Sequence, residues 1–257
     1  MKCENPMPRM ADFNKLRSWL KIQAAARRLR VPFTRRATFS PPDQIAVGGT
    51  FRPLSFPRDE GVKWDFLGVI LADEYRLRQI VGPPSRIIDI GGNVGFFSVA
   101  ARLTFPDSVI HCYEPNPALL PYLSHQGRQF NFECFGEAAG ANSGFVAMSF
   151  DRGSDTNLGR VEDVDAGQIV KIPLEKAVAR IGGTVDLLKL DCEGAEWEMF
   201  RKAQCWEKIQ RITMEYHLFD QQTHFDFREM VTRLGYKLDW WRYSDDCHYG
   251  HAGLVRY

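Results

Sequence analysis

Apolar positions along this chain switch repeatedly between two rhythms. Short apolar runs such as Ile87-Ile88-Asp89-Ile90 and Val185-Asp186-Leu187-Leu188 read as strands buried on both faces of a sheet. Helical spacing then resumes, as in Phe96, Phe97, Val99, Ala100 and Leu103. Strands are expected over 87–90, 108–113, 131–135, 144–150, 168–173, 185–191, 209–216, 236–243 and 253–257. Helices are expected over 12–30, with Asp12 as N-cap, and over 62–81, 119–129, 174–181, 195–203 and 225–234. Residues 45–56 read as a hairpin and 151–165 as a polar loop. Strands alternating with helices predict an α/β doubly wound sheet, with the last two strands as an antiparallel edge hairpin. Pro32, Pro41 and Pro42 mark a linker. We therefore expect an N-terminal extension over 1–60, a helix and short hairpin, and a main domain over 61–257.

Composition narrows the class. A chain of 257 residues with 44% hydrophobic and 25% charged residues is long enough to bury a full core and sits at the globular average. Its longest apolar run, 66–72, is too short to span a bilayer, and its first residues lack the apolar stretch of a secretory signal. Six cysteines form no C-x-x-C pair. That predicts reduced, mostly buried thiols in a cytoplasmic protein, without a disulfide frame or zinc site.

The net charge of +1 conceals an asymmetry. Residues 1–40 carry ten Lys or Arg against Glu4 and Asp12, so the remainder is acidic. Such an arm suits contact with an anionic surface, lipid headgroups or a charged glycan; equally it suits a solvated helix. An acidic globular part makes nucleic acid an unlikely partner.

The candidate chemistry starts at Asp89-Ile90-Gly91-Gly92-Asn93-Val94-Gly95, where a strand breaks into a glycine turn before a helix. Such turns receive nucleotide-like ligands. The G-x-G-x-x-G spacing for a pyrophosphate is missing, and a carboxylate at the strand end repels phosphate and attracts a cation. S-adenosylmethionine, with an ammonium, a sulfonium and no phosphate, suits this turn, and Asp89 is expected to partner the donor's positive charge. A tight turn whose Asp merely caps the helix is the plain alternative.

In a doubly wound sheet the ligand lies across the carboxyl ends of the strands. The second of them ends at Glu114, 23 residues after Gly91, a spacing that suits a carboxylate on the two ribose hydroxyls. The third ends at Glu137 and Ala138, expected at the adenine. The fourth reads Lys189-Leu190-Asp191-Cys192-Glu193, with Lys189, Asp191 and Glu193 on one side if the strand continues that far. A lysine in so apolar a strand requires carboxylate partners. The fifth adds Glu215 and His217. This cluster suits positioning and deprotonating a hydroxyl, with His217 or a neighbouring carboxylate as base. A divalent metal in the same cluster is possible but less favoured. His224, His248 and His251 are expected at the surface or rim, and Trp240, Trp241 and Tyr243 in the core.

In Ile88-Asp89-Ile90-Gly91-Gly92-Asn93-Val94-Gly95, Tyr113-Glu114-Pro115-Asn116 and Leu188–Glu196, the chain resembles the FkbM-type methyltransferases, a branch of the class I S-adenosylmethionine-dependent enzymes. Glu74-Tyr75 and Glu215-Tyr216-His217 support the resemblance. It implies a Rossmann-like seven-stranded sheet with a reversed last strand and methylation of a hydroxyl, often on a sugar or glycosylated natural product. Gly92, where many relatives have Ala, is expected to be a harmless departure. The expected donor site comprises Asp89, Gly91, Gly92, Asn93, Gly95, Glu114, Pro115, Asn116, Glu137 and Ala138. The expected catalytic group comprises Lys189, Asp191, Glu193, Glu215 and His217. The acceptor is expected to be a carbohydrate or a glycosylated or polyketide-like small molecule. A nicotinamide-dependent oxidoreductase and a catalytically silent Rossmann-like module are the rival classes.

Overall fold

The computed structural model describes residues 10–150, 159–219, 221–244 and 247–257. Cys3, the first residues of the basic arm and part of the expected polar loop lie outside them.

The first element among the described residues is helix α1 (Met10–Arg28), which places Asp12 inside the helix and not at the expected cap position. On α1, Ile22, Ala25 and Ala26 share one buried stripe at helical spacing, continued by Leu29 just past its end. The expected hairpin is formed by β1 (Gln44–Val47) and β2 (Thr50–Pro53), turning at Gly48 and Gly49. The segment expected as one helix over 62–81 is instead divided. Helix α2 (Glu60–Asp65), capped by the Asp59 side chain, runs into a π-helical turn at Phe66–Ala72. Asp73 then ends the turn in left-handed conformation (φ 58°). A 3-10 turn, Leu77–Gln79, follows.

The central sheet begins with β3 (Arg86–Ile90), followed by helix α3 (Phe96–Thr104), β4 (Val109–Tyr113), α4 (Leu120–Phe130) and β5 (Glu133–Phe135). Four strands then form a separate small sheet: β6 (Ala138–Gly140), β7 (Gly144–Phe150), β8 (Gly159–Val164) and β9 (Ile169–Pro173), ordered β6-β9-β7-β8. Strand β8 falls where a polar loop was expected; its polar residues pair with β7 at the sheet's edge, where no apolar face is demanded. Helix α5 (Leu174–Arg180) returns the chain to β10 (Leu187–Leu190), α6 (Glu196–Lys202), β11 (Arg211–His217), α7 (His224–Arg233), β12 (Tyr236–Tyr243) and β13 (Tyr249–Arg256).

The main sheet has the order β12-β13-β11-β10-β3-β4-β5. The β10, β11, β3, β4 and β5 pairings are parallel, while β13 runs antiparallel to both its neighbours. The last strand is therefore reversed, as expected, and starts at Tyr249, four residues before the expected Gly253. Alternation assigns the two faces. Ile87 and Leu187 join one hydrophobic cluster with α1, α3 and the N-terminal hairpin; Ile88, Ile90, Leu188 and Leu190 join another with α5, α6 and α7. Asp89 and Lys189, direct neighbours across β3 and β10, share the first face.

Candidate active site

The glycine turn is fixed from three sides. The backbone N–H groups of Gly91 and Gly92 both donate to the Tyr113 carbonyl, at 3.1 and 3.0 Å, and Lys189 Nζ donates to the Gly91 carbonyl at 2.5 Å. Gly91 has φ 75°, and a Cβ there would overlap the Asp191 carbonyl, so only glycine fits between β3 and β10. A Cβ on Gly92 would overlap the Cys112 thiol. The departure to glycine fits this chain, because Cys112 occupies the space an alanine methyl would need.

Asp89 does not reach the ligand cavity. Fully buried beneath the turn, it accepts from Ser98 Oγ at 2.7 Å and Cys112 Sγ at 3.4 Å, with Lys189 Nζ 3.4 Å away. The cation it attracts is the protein's own Lys189, which corrects its expected role at the donor. Burial alone would depress the Lys189 ammonium, but Asp89 and Asp191 outweigh it and hold the group above the usual lysine range. Lys189 braces the turn from below.

Above the turn lies a cavity of about 260 Å³. Its wall brings together Gly91, Asn93, Glu114, Pro115, Asn116, Ala138, Asp191, Glu193 and Glu215, all expected from sequence. The Glu114 carboxylate accepts from the backbone N–H of Asn93 and Asn116, both at 2.8 Å, which aims it along the wall. Glu137 is committed elsewhere: its carboxylate pairs with Arg180, at 2.5 Å, and the wall beside Ala138 is completed by Ala139 and Met148. The expected adenine contact of Glu137 is thereby corrected. Gly92, Gly95, Lys189 and His217 stand outside this wall.

At the far end sits the charged cluster. Strand β10 stops at Leu190, and Glu193 turns into left-handed conformation (φ 53°) ahead of α6. Such strain in a non-glycine residue persists only where its surroundings enforce it. His217 places Nε2 3.5 Å from both Glu193 and Glu215, and Nδ1 3.8 Å from buried Glu196. Burial opposes its charge, but the Glu196 and Glu215 carboxylates prevail and raise it to about 11. Among these carboxylates His217 is an imidazolium and accepts no proton at neutral pH. Glu215 is lowered to about 2, its burial outweighed by His217 and His251. Glu193 is pushed up to about 7 by burial, against the pull of His217.

Several members escaped the sequence reading. His251, expected at the rim, lies opposite Glu215 across β13 and β11, with Nε2 3.0 Å from it; the strand's earlier start carries it into the sheet. His224 is buried against the Tyr216 hydroxyl, at 2.8 Å. Tyr75 donates to Asp191 at 2.8 Å, and Asn93 Nδ2 donates to Asp65 at 3.1 Å. Glu74 is raised to about 8 by burial, with Asp65, Glu215 and Asp191 adding to it. Among the described residues no group of three or more His, Cys, Asp or Glu side chains is arranged to hold a metal ion, and no helix is long and apolar enough to cross a membrane.

A bare-backbone turn, a buried carboxylate at the end of the neighbouring strand and small residues at the next suit S-adenosylmethionine. With strand order β5-β4-β3-β10-β11-β13-β12 and β13 reversed, this is a class I S-adenosylmethionine-dependent methyltransferase. The FkbM methyltransferase domain matches residues 89–238, more than half of the chain, which belongs to that family. A comparison with curated protein sequences yields no match. Among solved structures, the chain is similar to magnesium protoporphyrin IX methyltransferase (ChlM) from Synechocystis PCC 6803 with bound SAM: TM-score 0.49 and 10% identity over 79% of this chain and 87% of that one. It is also similar to M. capricolum TrmK in complex with S-adenosyl-homocysteine: TM-score 0.43 and 11% identity over 70% and 67%. A third similar structure is the ribosomal protein L11 methylase from Lactobacillus delbrueckii subsp. bulgaricus: TM-score 0.43 and 10% identity over 73% and 78%.

Proposed function

We propose that the protein is an O-methyltransferase acting on a hydroxyl of a carbohydrate or of a glycosylated or polyketide-like small molecule, with the Glu193 carboxylate as general base. The observation that carries this reading is Glu193 itself: on the cavity wall, strained, and tuned to about 7. A base works best when its pKa lies near the operating pH. His217, held protonated, keeps its charge beside Glu193 and stabilises the carboxylate until it takes the hydroxyl proton.

S-adenosylmethionine supplies an electrophilic methyl group when bound. In this reading Glu114 holds the ribose, and Asn93, Pro115 and Asn116 shape that end of the cavity. Ala138 and Ala139 leave room for a flat ring. Asp191, tied to Tyr75 and 3.6 Å from Lys189, lines the passage between donor and base. Glu215, fixed by two histidines, keeps its charge there.

The test is transfer of labelled methyl from S-adenosylmethionine to a panel of neutral and acidic glycosides and macrolides. Labelled product whose methyl sits on an ether oxygen is the expected result. Methylation confined to amine-bearing acceptors would overturn the assignment of oxygen.

A further inference from the structure

A second and larger cleft, about 840 Å³, opens between α1, the π-helical turn and the end of β12. That volume falls within the range of small-molecule sites. It adjoins the donor cavity through Glu74, which lines both this cleft and a narrow cavity of about 70 Å³ shared with Asp191 and Glu215. Strand register explains the adjacency: Arg242 on β12 lies opposite His251 on β13, and His251 lies opposite Glu215 on β11.

Resting on the methyltransferase reading above, we infer that the acceptor is acidic. It is a sugar or glycoside carrying a carboxylate or phosphate, held by Lys21, Arg36, Arg76 and Arg242, with its hydroxyl directed past Glu74 toward Glu193. All four cations line the cleft, and none forms an ion pair with a carboxylate among the described residues. Two are held in place: Arg36 donates to Ser18 Oγ at 3.5 Å, and the Arg76 guanidinium lies over the Trp240 ring at 4.5 Å. Arg76 keeps a left-handed backbone (φ 55°) to do so. The acidic groups facing the cleft are Asp73 and Glu74. Asp73 already receives the Arg78 backbone N–H at 3.3 Å and feels Lys21, while Glu74 is pushed toward its neutral form by burial and then by Asp65, Glu215 and Asp191, against the pull of Arg242. The cleft is therefore positive, and a concave positive surface concentrates anions. The exposed Trp64 on its wall offers a flat face for a sugar ring.

The full-length protein, saturated with S-adenosylhomocysteine, would be titrated with D-glucuronate, D-glucose 6-phosphate and D-glucose by saturation-transfer NMR. The same series would be run on the Lys21→Gln/Arg242→Gln double variant, both positions being exposed and outside the packed core. At least one acidic probe should bind roughly tenfold tighter than glucose, and lose roughly that factor in the variant and in high salt. Binding of glucuronate alone would assign a carboxylate, and binding of the phosphate alone a phosphorylated acceptor. Equal binding of glucose, binding of none of the probes, or acidic binding unchanged in the variant would overturn the inference. The donor reading stands or falls separately, on the S-adenosylhomocysteine affinity of both proteins. If melting shows the double variant unfolded, single Arg76→Gln carries the same comparison.

Discussion

Tyr75 and Asp191, 116 residues apart in sequence, meet through a 2.8 Å hydrogen bond from the phenol to the carboxylate. Tyr75 is also pinned from behind: its carbonyl accepts from Thr213 Oγ1 at 3.0 Å and its ring packs edge-on against Phe97. The segment after the π-helical turn is thereby fastened to the end of β10, where the donor and acceptor sides meet. Tyr75→Phe should lower stability by about 1 kcal/mol. It should also lower kcat several-fold while donor affinity stays nearly constant. An equal loss in donor affinity, measured by calorimetry with S-adenosylhomocysteine, would show that this bond serves donor binding instead.

Glu193→Gln keeps the shape of the side chain and removes its basicity. The kcat should fall by roughly 100-fold or more, the ordinary contribution of a positioned base. The acidic limb of the pH–rate profile near 7 should vanish with it, and S-adenosylhomocysteine binding should persist. A variant that retains the limb would return the role to another carboxylate of the cluster.

Asp89 and Lys189 form a buried pair, so breaking it on one side leaves an uncompensated charge. Asp89→Asn should destabilise by about 3 kcal/mol, and Lys189→Met by a similar amount. Asp89→Asn/Lys189→Met should be less damaging than the two single changes predict by addition. Chemical denaturation of the four proteins measures the coupling. Strict additivity would mean that the two side chains act independently.

Gly92→Ala should cost about 1–3 kcal/mol by overpacking against Cys112. Adding Cys112→Ala opens the space and should recover much of the loss. A melting temperature as low in the double variant as in the single one would place the strain in the backbone of the turn.

Stability should fall as pH rises between about pH 5 and 8. Glu74 and Glu193 hold protons in the folded state up to about 8 and about 7, while the unfolded chain releases them near 4.5. The folded state then binds more protons, which gives the slope its negative sign. His217, raised to about 11 from 6.5, extends the decline above 6.5. Glu215, lowered to about 2, acts with the opposite sign, and only below 4.5. Melting temperatures across this range should decline in the wild type and decline less in Glu74→Gln. A rise with pH would contradict the assigned protonation states.

The main sheet was legible because its strands are fully buried runs punctuated by glycine and proline, and because the carboxylates follow the strand ends. Glu114, Asp191, Glu193 and Glu215 reach the cavity for that reason. What sequence hid depends on depth and register. Whether Asp89 faces a ligand or a lysine is decided by its cross-strand neighbour on β10, which no local pattern specifies. Glu137 was placed correctly along the chain, but Arg180, on α5, claims its carboxylate. His251 required the true start of β13, blurred by the glycines at 250 and 253. In the small sheet β7 and β9 were legible at 144–150 and 168–173, but β8 escaped because a polar edge strand lacks the alternation that announces a half-buried one.

Helix α1 has two stripes with different obligations. Ala25 and Ala26 belong to the same hydrophobic cluster as Val94, Phe96 and Val99 beside the glycine turn, while Leu20 and Lys21 face the second cleft. Changes on the inner stripe are judged by whether the enzyme folds, and changes on the outer stripe by what it recognises. Descendants of this chain can therefore drift toward new acceptors one outer residue at a time. Grafting the whole helix from a relative would force both decisions at once.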